Sequence, residues 1–280
     1  MRPELIVLRG GGDLASGVAL RLHRVGFPIL ITELAEPLAV RRTVSFAEAV
    51  YAEQCTVEGV TARLVSPDQQ LVVLEADEIP VLIDPNANVL ANPFITSPQS
   101  TIVIDARLLK QSPDSLPAKP LLYIGLGPGF VAGENCDAAI ETRRSHRLGR
   151  VYWDGAPAAD SGQPEGDPRR VMRAPAEGMM VARVNIGSHV DEGQIIAEIR
   201  PVKGSQKSEI ASPLSGILRG MIHDGLTVTQ GMKIGDVDPR DDASLCFLVS
   251  DKALAIGGAA LEAIFSRPDI REKLWANPAG

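Results

Sequence analysis

The sequence is poor in aromatic residues (4%), in cysteine (three) and in histidine (four). Cys55, Cys136 and Cys246 are scattered and odd in number, so no disulfide framework is expected. With four dispersed histidines they offer no cluster at zinc spacing. Long apolar runs are also missing, and no stretch approaches the ~18 residues of a membrane span. The opening MRPELIVLRGGG reaches glycine without the apolar region and small-residue cleavage site of a signal peptide. There is no basic excess: 28 Lys and Arg face 35 Asp and Glu, a formal net charge of −7. That removes the electrostatic case for nucleic acid or an anionic membrane surface. These absences read as a cytoplasmic, reduced protein with neither nucleic acid nor membrane as a partner.

What is present is globular. Hydrophobic residues make up 45% of the 280 positions and charged residues 22%, enough to bury one large core or two ordinary ones.

Leu5–Leu8 is a short apolar run that suits a buried parallel strand, and it leads straight into Gly10-Gly11-Gly12-Asp13-Leu14-Ala15. Leu14, Val18, Leu22 and Val25 then recur at helical spacing. Gly26 stops that helix, and Pro28-Ile29-Leu30-Ile31-Thr32 begins a second strand ending at Glu33. This is the order of a dinucleotide-binding βαβ unit. Gly10, Gly12 and Ala15 satisfy G-x-G-x-x-A, with Glu33 about 20 residues on, where a ribose hydroxyl would be held. One glycine makes the turn, the next lets amides approach a pyrophosphate, and a small residue lets the helix pack close. The helix N-terminus adds partial positive charge. Gly11 and Asp13 complete the candidate loop, although the Asp13 carboxylate would oppose a pyrophosphate. The other reading is a glycine turn with no nucleotide.

Ser45 with Glu48 forms a capping box that predicts a helix from Phe46. The Arg41-Arg42 pair before it either holds phosphate or is solvated in surface ion pairs. Val60–Val65 and Leu71–Leu74, separated by Ser66-Pro67-Asp68, read as a hairpin. Strands follow at Val81–Ile83 ending at Asp84, at Ile102–Ile104 ending at Asp105, and at Leu121–Ile124 ending in a second glycine loop with Gly127 and Gly129. Ligands of open parallel sheets sit beyond the carboxyl ends of strands. Asp84, Asp105, Gly127 and Gly129 are therefore candidate ligand contacts, with strand-end caps as the alternative. Glu141, Arg144 and His146 lie in a run dense in anion-binding and proton-transferring groups. His146 is the candidate catalytic acid or base by its pKa, with a structural histidine as the alternative, and no metal site is expected.

A polar, Gly/Pro-rich bridge from Ala159 to Pro168 marks a linker, and beyond it the sequence repeats. Ala174-Pro175-Ala176-Glu177-Gly178 through Gly187, Val190 and Gly193 aligns with Ser212-Pro213-Leu214-Ser215-Gly216 through Gly225, Val228 and Gly231, at a constant offset of 38. A half of that size cannot close a core alone, whereas two can interlock. The pattern resembles the biotinyl/lipoyl domain family over 170–240. In that family a lysine between the halves carries biotin or lipoate. Here Lys203 or Ser205 falls at that position, depending on the direction of counting, with Lys207 nearby. Ala-Met-Lys-Met is absent, so neither biotin nor lipoate is expected. In the tail, Leu245–Val249 reads as a strand and Ser250 as the cap of a helix from Asp251 to about Phe265, both returning to the first sheet.

Arg9–Gly17, PLAVRRTVSF at Pro37–Phe46, GLGPGF and ETRRSHRLG within Gly125–Gly149, and Gly235–Arg240 together resemble the YqeB family along nearly the full length. Its members carry glycine where Ser145 stands, a departure beside His146. They are named as selenium-dependent molybdenum hydroxylase system proteins. The resemblance implies an accessory or maturation factor with a molybdenum hydroxylase client, binding a nucleotide (NAD(P) or a molybdopterin dinucleotide). The expected fold class is α/β: a Rossmann-like parallel-sheet domain (1–165), a small all-β barrel-sandwich hybrid (170–240) and a returning tail (241–280). An NAD(P)-dependent oxidoreductase and a lysine-linked carrier are the rival readings. Whether the chain forms a homo-oligomer stays open.

Overall fold

A computed structural model describes residues 4–160, 162, 167–201 and 207–275. It divides into two compact units. The first holds the described residues of Met1–Pro37, Phe46–Ser161 and Val249–Gly280, and the second those of Leu38–Ser45 and Gly162–Leu248. The protein is mixed α/β, with one large sheet in the first unit and two smaller antiparallel sheets in the second. Among the described residues no helix is long and apolar enough to cross a membrane.

In the first unit, nine strands are described: β1 (Leu5–Arg9), β2 (Ile29–Glu33), β3 (Gln54–Val57), β4 (Val60–Leu64), β5 (Ile79–Ile83), β6 (Thr101–Asp105), β7 (Leu122–Leu126), β8 (Ala138–Ile140) and β9 (Val151–Tyr152). Their order is β3-β4-β5-β2-β1-β6-β7-β8-β9. The strands from β4 to β8 run parallel, and β3 and β9 close the two edges antiparallel. From β1 the chain first builds toward β2 and later crosses to β6, so the strand order reverses between β1 and β6.

The central strands are apolar on both faces because both are covered. Helix α1 (Asp13–His23) buries Leu14, Val18 and Leu22, while α4 (Asp251–Phe265) buries Ala253, Ile256, Ala260 and Ile264. The helices cross closely, since a Cβ at Gly257 would lie 2.8 Å from the Gly17 carbonyl oxygen. On the other face Val7, Leu30, Leu82, Val103, Tyr123 and Phe130 share a core cluster. Each fully buried aliphatic side chain of this kind contributes about 1.5–3 kcal/mol. The remaining helices are α2 (Ala49–Ala52), α3 (Gln70–Glu75) and α5 (Pro268–Trp275).

Four local expectations change. α1 ends at His23, so Val25 lies beyond it and is 55% exposed. Val60–Leu64 does form a hairpin, but with Gln54–Val57; Leu71–Leu74 lies inside α3. An apolar run of four carries no period that separates helix from strand. The Phe46 helix begins as a 3-10 turn over Phe46–Glu48 and becomes α-helical only at Ala49. Leu245–Val249 is not a strand: Ala243–Cys246 is a 3-10 turn whose first amides Asp242 caps through Ser244. The capped helix after Ser250 forms as read, with the Ser250 hydroxyl accepting from the Ala253 amide at 3.1 Å.

The second unit contains β10 (Val171–Arg173), β11 (Gly178–Ala182), β12 (His189–Val190), β13 (Ile195–Arg200), β14 (Ser208–Ala211), β15 (Gly216–Met221), β16 (Thr227–Val228) and β17 (Lys233–Asp238). They form two four-stranded sheets ordered β10-β17-β15-β12 and β14-β13-β11-β16. The offset of 38 maps β11, β12 and β13 onto β15, β16 and β17. Each sheet therefore takes strands from both halves, and neither half closes a sheet alone. Gly178 and Gly216 share φ +155, and Gly193 and Gly231 share φ +82. Glu198 and Asp236, also 38 apart, are both buried under arginines: Arg183 and Arg200 on the first, Arg170 and Arg219 on the second. Lys203 and Ser205, and positions 161 and 163–166 of the expected linker, lie outside the described residues.

Candidate functional site: the turn after the first strand

The turn between β1 and α1 sits where the strand order reverses, the place where a crevice opens at the carboxyl ends of an open sheet. Gly10 needs its φ of +90 to leave the strand, and its amide donates to the Thr32 carbonyl at 2.8 Å. Gly11 is hemmed in. Its carbonyl accepts from the Ala47 amide at 2.8 Å and from the Ser16 hydroxyl, and a Cβ there would lie 2.8 Å from the Ala47 nitrogen. Gly12 is the opposite case. It begins α1 with no side-chain cap, and nothing lies within 4 Å of where its Cβ would be. Ala15 is buried behind the turn, and Asp13 stands in the first helical turn.

Glu33, at the end of β2, closes on this turn. One carboxylate oxygen accepts from the Gly11 amide and the other from the Leu34 amide, both at 2.7 Å. Burial pushes its carboxyl up, and the two amide hydrogen bonds only partly offset that. One of the amides free to approach a phosphate in the sequence reading is thus already held by the acidic residue expected on the ribose.

Next to the turn lies a charge cluster that sequence reasoning passed over. Arg9, the last residue of β1, is 1% exposed. Its guanidinium reaches Asp105 at 3.3 Å and Asp114 at 3.1 Å, while its buried Nε has no partner. Arg107 pairs with the same two carboxylates at 2.7 and 3.0 Å, and the Tyr123 hydroxyl donates to Asp105 at 3.2 Å. Burying a charge is costly unless it is paired, so Asp105 is held here as a counter-ion. The sequence signal was a charged residue closing an otherwise apolar strand.

The other candidates are spread out. Asp84 accepts from Asn88 and from the Val89 amide, capping a 3-10 turn. It also lines a groove of about 880 Å³ beyond β4 and β5, with Arg63, Ser66, Asn88 and Asn92. Gly127 turns with φ +98 and donates to the Ile140 carbonyl. Gly129 lies against the carbonyls of Leu109 and Gln111. Glu141 is buried and accepts from the Arg143 and Ala158 amides. Arg144 makes a two-pronged pair with Asp251 at 2.6–2.7 Å. His146 is exposed on the turn that follows. Arg41 and Arg42 belong to the second unit. There Arg41 donates to the Leu245 and Leu248 carbonyls, and Arg42 to that of Met221. Burial pushes the Cys55 and Cys136 thiols up to about 12, away from ready thiolates. Among the described residues no group of three His, Cys, Asp or Glu is placed to hold a metal.

No family model matches the chain. The uncharacterized protein YqeB of Escherichia coli K12 is 44% identical over 266 residues, which is 93% of this chain and 47% of that protein. This similarity supports the YqeB family. The chain spans about half the length of the curated relative it matches. Among solved structures, an aspartoacylase family protein from Mesorhizobium loti overlaps with a TM-score of 0.26 at 8% identity, over 85% of each chain. The ectoine utilization protein EutE from Ruegeria pomeroyi, in its apo form, gives 0.28 at 12% identity, over 84% of this chain and 86% of that one. Overlaps this low carry no argument about this chain.

Proposed function

We propose that the first unit binds a phosphate-bearing dinucleotide at the turn after β1, and that the chain serves as an accessory factor in maturing a selenium-dependent molybdenum hydroxylase. NAD(P) and a molybdopterin dinucleotide are the ligands in view. The observation that carries the binding reading is Gly12: open space at its Cβ position, as the side-chain-less cap residue at the start of a helix, at the reversal of strand order. Such an end attracts anions through its unsatisfied amides and the helix dipole. Glu33 is compatible with a ribose there, because each carboxylate oxygen keeps a second lone pair after accepting an amide. The maturation role follows from the family resemblance. The reading of the first unit as Rossmann-like rests on its reversed parallel strand order.

The second unit fits a barrel-sandwich hybrid of the biotinyl/lipoyl type, since its duplicated halves share both sheets. We assign it to docking the client enzyme. Lys207 is engaged by Glu198 and Glu209, and the attachment motif is missing.

Calorimetric titration of the full chain with NAD, NADP, ATP, CTP and molybdopterin dinucleotides tests the reading. Binding of at least one, with affinity lost in Gly12→Leu while the melting temperature falls by no more than the few degrees of a helix-cap effect, is expected. If none binds the native protein, the pocket is wrong. A hydride-transfer absorbance assay separates the rival: an accessory factor shows no turnover, whereas turnover abolished by His146→Gln would establish an oxidoreductase.

A further inference from the structure

The charge cluster beside the glycine turn balances two arginines against two carboxylates. Arg9 and Arg107 share two carboxylates that differ in kind. Asp105 is fully buried at the end of β6, with the Tyr123 hydroxyl on it. Asp114 is 56% exposed and sits in the stretch 106–121, which has neither helix nor strand. Its two arginine contacts, at 3.1 and 3.0 Å, are made from that stretch. Burial pushes the Asp114 carboxyl up, and the hydrogen bonds from Arg9 and Arg107 outweigh this and take it down to about 2. It is therefore ionised at any ordinary pH, a charged guest on two arginines.

Without Asp114 the cluster would hold two cations against one anion, in a place where Arg9 is already 1% exposed and its Nε lacks a partner. Such a site accepts an external anion, because paired guanidiniums favour phosphate and carboxylate oxygens through charge-assisted, forked hydrogen bonds. It also adjoins the turn: the Cβ position of Gly10 lies 3.6 Å from the Arg107 Cγ and 3.6 Å from the Ala106 backbone.

We propose that Arg9 and Arg107 form the anion-binding half of the site at the β1 turn, specific for a phosphate or pyrophosphate group, and that Asp114 is an internal surrogate which that group displaces. The inference rests on the reading of the turn as a phosphate site and adds its cationic residues and its gate. A resident surrogate lowers apparent affinity by the fraction of time that it occupies the site. Displacing it frees the 106–121 stretch at one point, so ligand entry and a local change of that stretch go together.

The test is titration of the full chain with inorganic pyrophosphate by calorimetry at two salt concentrations, comparing the native protein with Asp114→Asn and Arg107→Gln. Asp114→Asn keeps the shape and removes the competing charge, and is expected to bind about tenfold more tightly. Arg107→Gln is expected to weaken binding by at least about tenfold. Limited proteolysis within 106–121 should accelerate when pyrophosphate is added to the native protein and be constitutively fast in Asp114→Asn. Equal pyrophosphate affinity in the native protein and Asp114→Asn overturns the surrogate role while leaving the turn as a binding site. Failure of both to bind, with NAD or a molybdopterin dinucleotide still binding, overturns the arginine site alone. Failure of every ligand removes the nucleotide reading itself.

Discussion

Two glycine-rich strand ends of the first unit, Gly10–Gly12 after β1 and Gly125–Gly129 at the end of β7, look alike in sequence and differ in what surrounds them. At the second, the chain fills its own space. The Phe130 ring lies on Gly125, and Gly129 lies against the Leu109 and Gln111 carbonyls. The amides of Gly127 and Gly129 are spent on the Ile140 and Leu109 carbonyls. The first turn is divided. Gly11 packs against residue 47 and gives its amide to the Glu33 carboxylate, whereas the Cβ position of Gly12 has nothing within 4 Å. Glycine thus serves close packing at Gly11, Gly125 and Gly129 and a turn at positive φ at Gly10 and Gly127, and room for a ligand is left beside Gly12.

The contrast breaks most easily at Gly129. A methyl group in Gly129→Ala meets two backbone carbonyls that cannot swing aside, so the variant should lose about 3 kcal/mol, at the upper end of overpacking costs. Chemical denaturation measures this, and a loss below about 1 kcal/mol would mean that the second loop gives way and is not packed as described. Gly11→Ala comes next. Its methyl meets the Ala47 nitrogen at 2.8 Å, and about 2 kcal/mol is expected, with melting as the readout. Gly12→Ala should cost less than about 1 kcal/mol, a helix-cap effect only, while weakening nucleotide binding in calorimetry. Loss of stability there as large as in Gly11→Ala would erase the distinction between the two positions.

The smallest effect is a slope. The folded-state pKa of Glu33 is raised by burial, so the stability it contributes is fully present below the usual carboxylate range. That stability is lost as pH rises through the raised value. Urea midpoints of the native protein should therefore fall over that rise, and Glu33→Gln should flatten this part of the profile. Identical profiles would show that the Gly11 and Leu34 amide hydrogen bonds cancel the effect of burial and that the Glu33 carboxyl is not raised.

Much of the framework was legible in the residues. Leu5–Leu8, the glycine turn, the α1 spacing and the strand ending at Glu33 announced β1-α1-β2, because a buried parallel strand and a one-faced helix leave strong local patterns. Ser250 fixed the start of α4 to the residue, since a cap is a local bond. The 38-residue offset announced the paired strands of the second unit. The site was far less legible. Asp84 and Asp105 were both strand-end aspartates, yet one caps a turn and the other neutralises buried arginines. Arg9 was quoted only as the neighbour of a glycine motif. Its partners lie 96 and 105 residues away, beyond any periodicity.

The sequence alone determined the elements whose causes are local: strand and helix periods, one helix cap, the turn at Gly10, and the duplication. Tertiary structure alone decided which carboxylate faces which arginine, that Leu71–Leu74 is helical while Gln54–Val57 pairs, and that Gly12 is open while Gly129 is filled. The physical reason is range. Backbone propensity and periodicity act over a few residues, whereas burial, ion pairing and free volume depend on atoms that the chain brings together from a hundred residues apart.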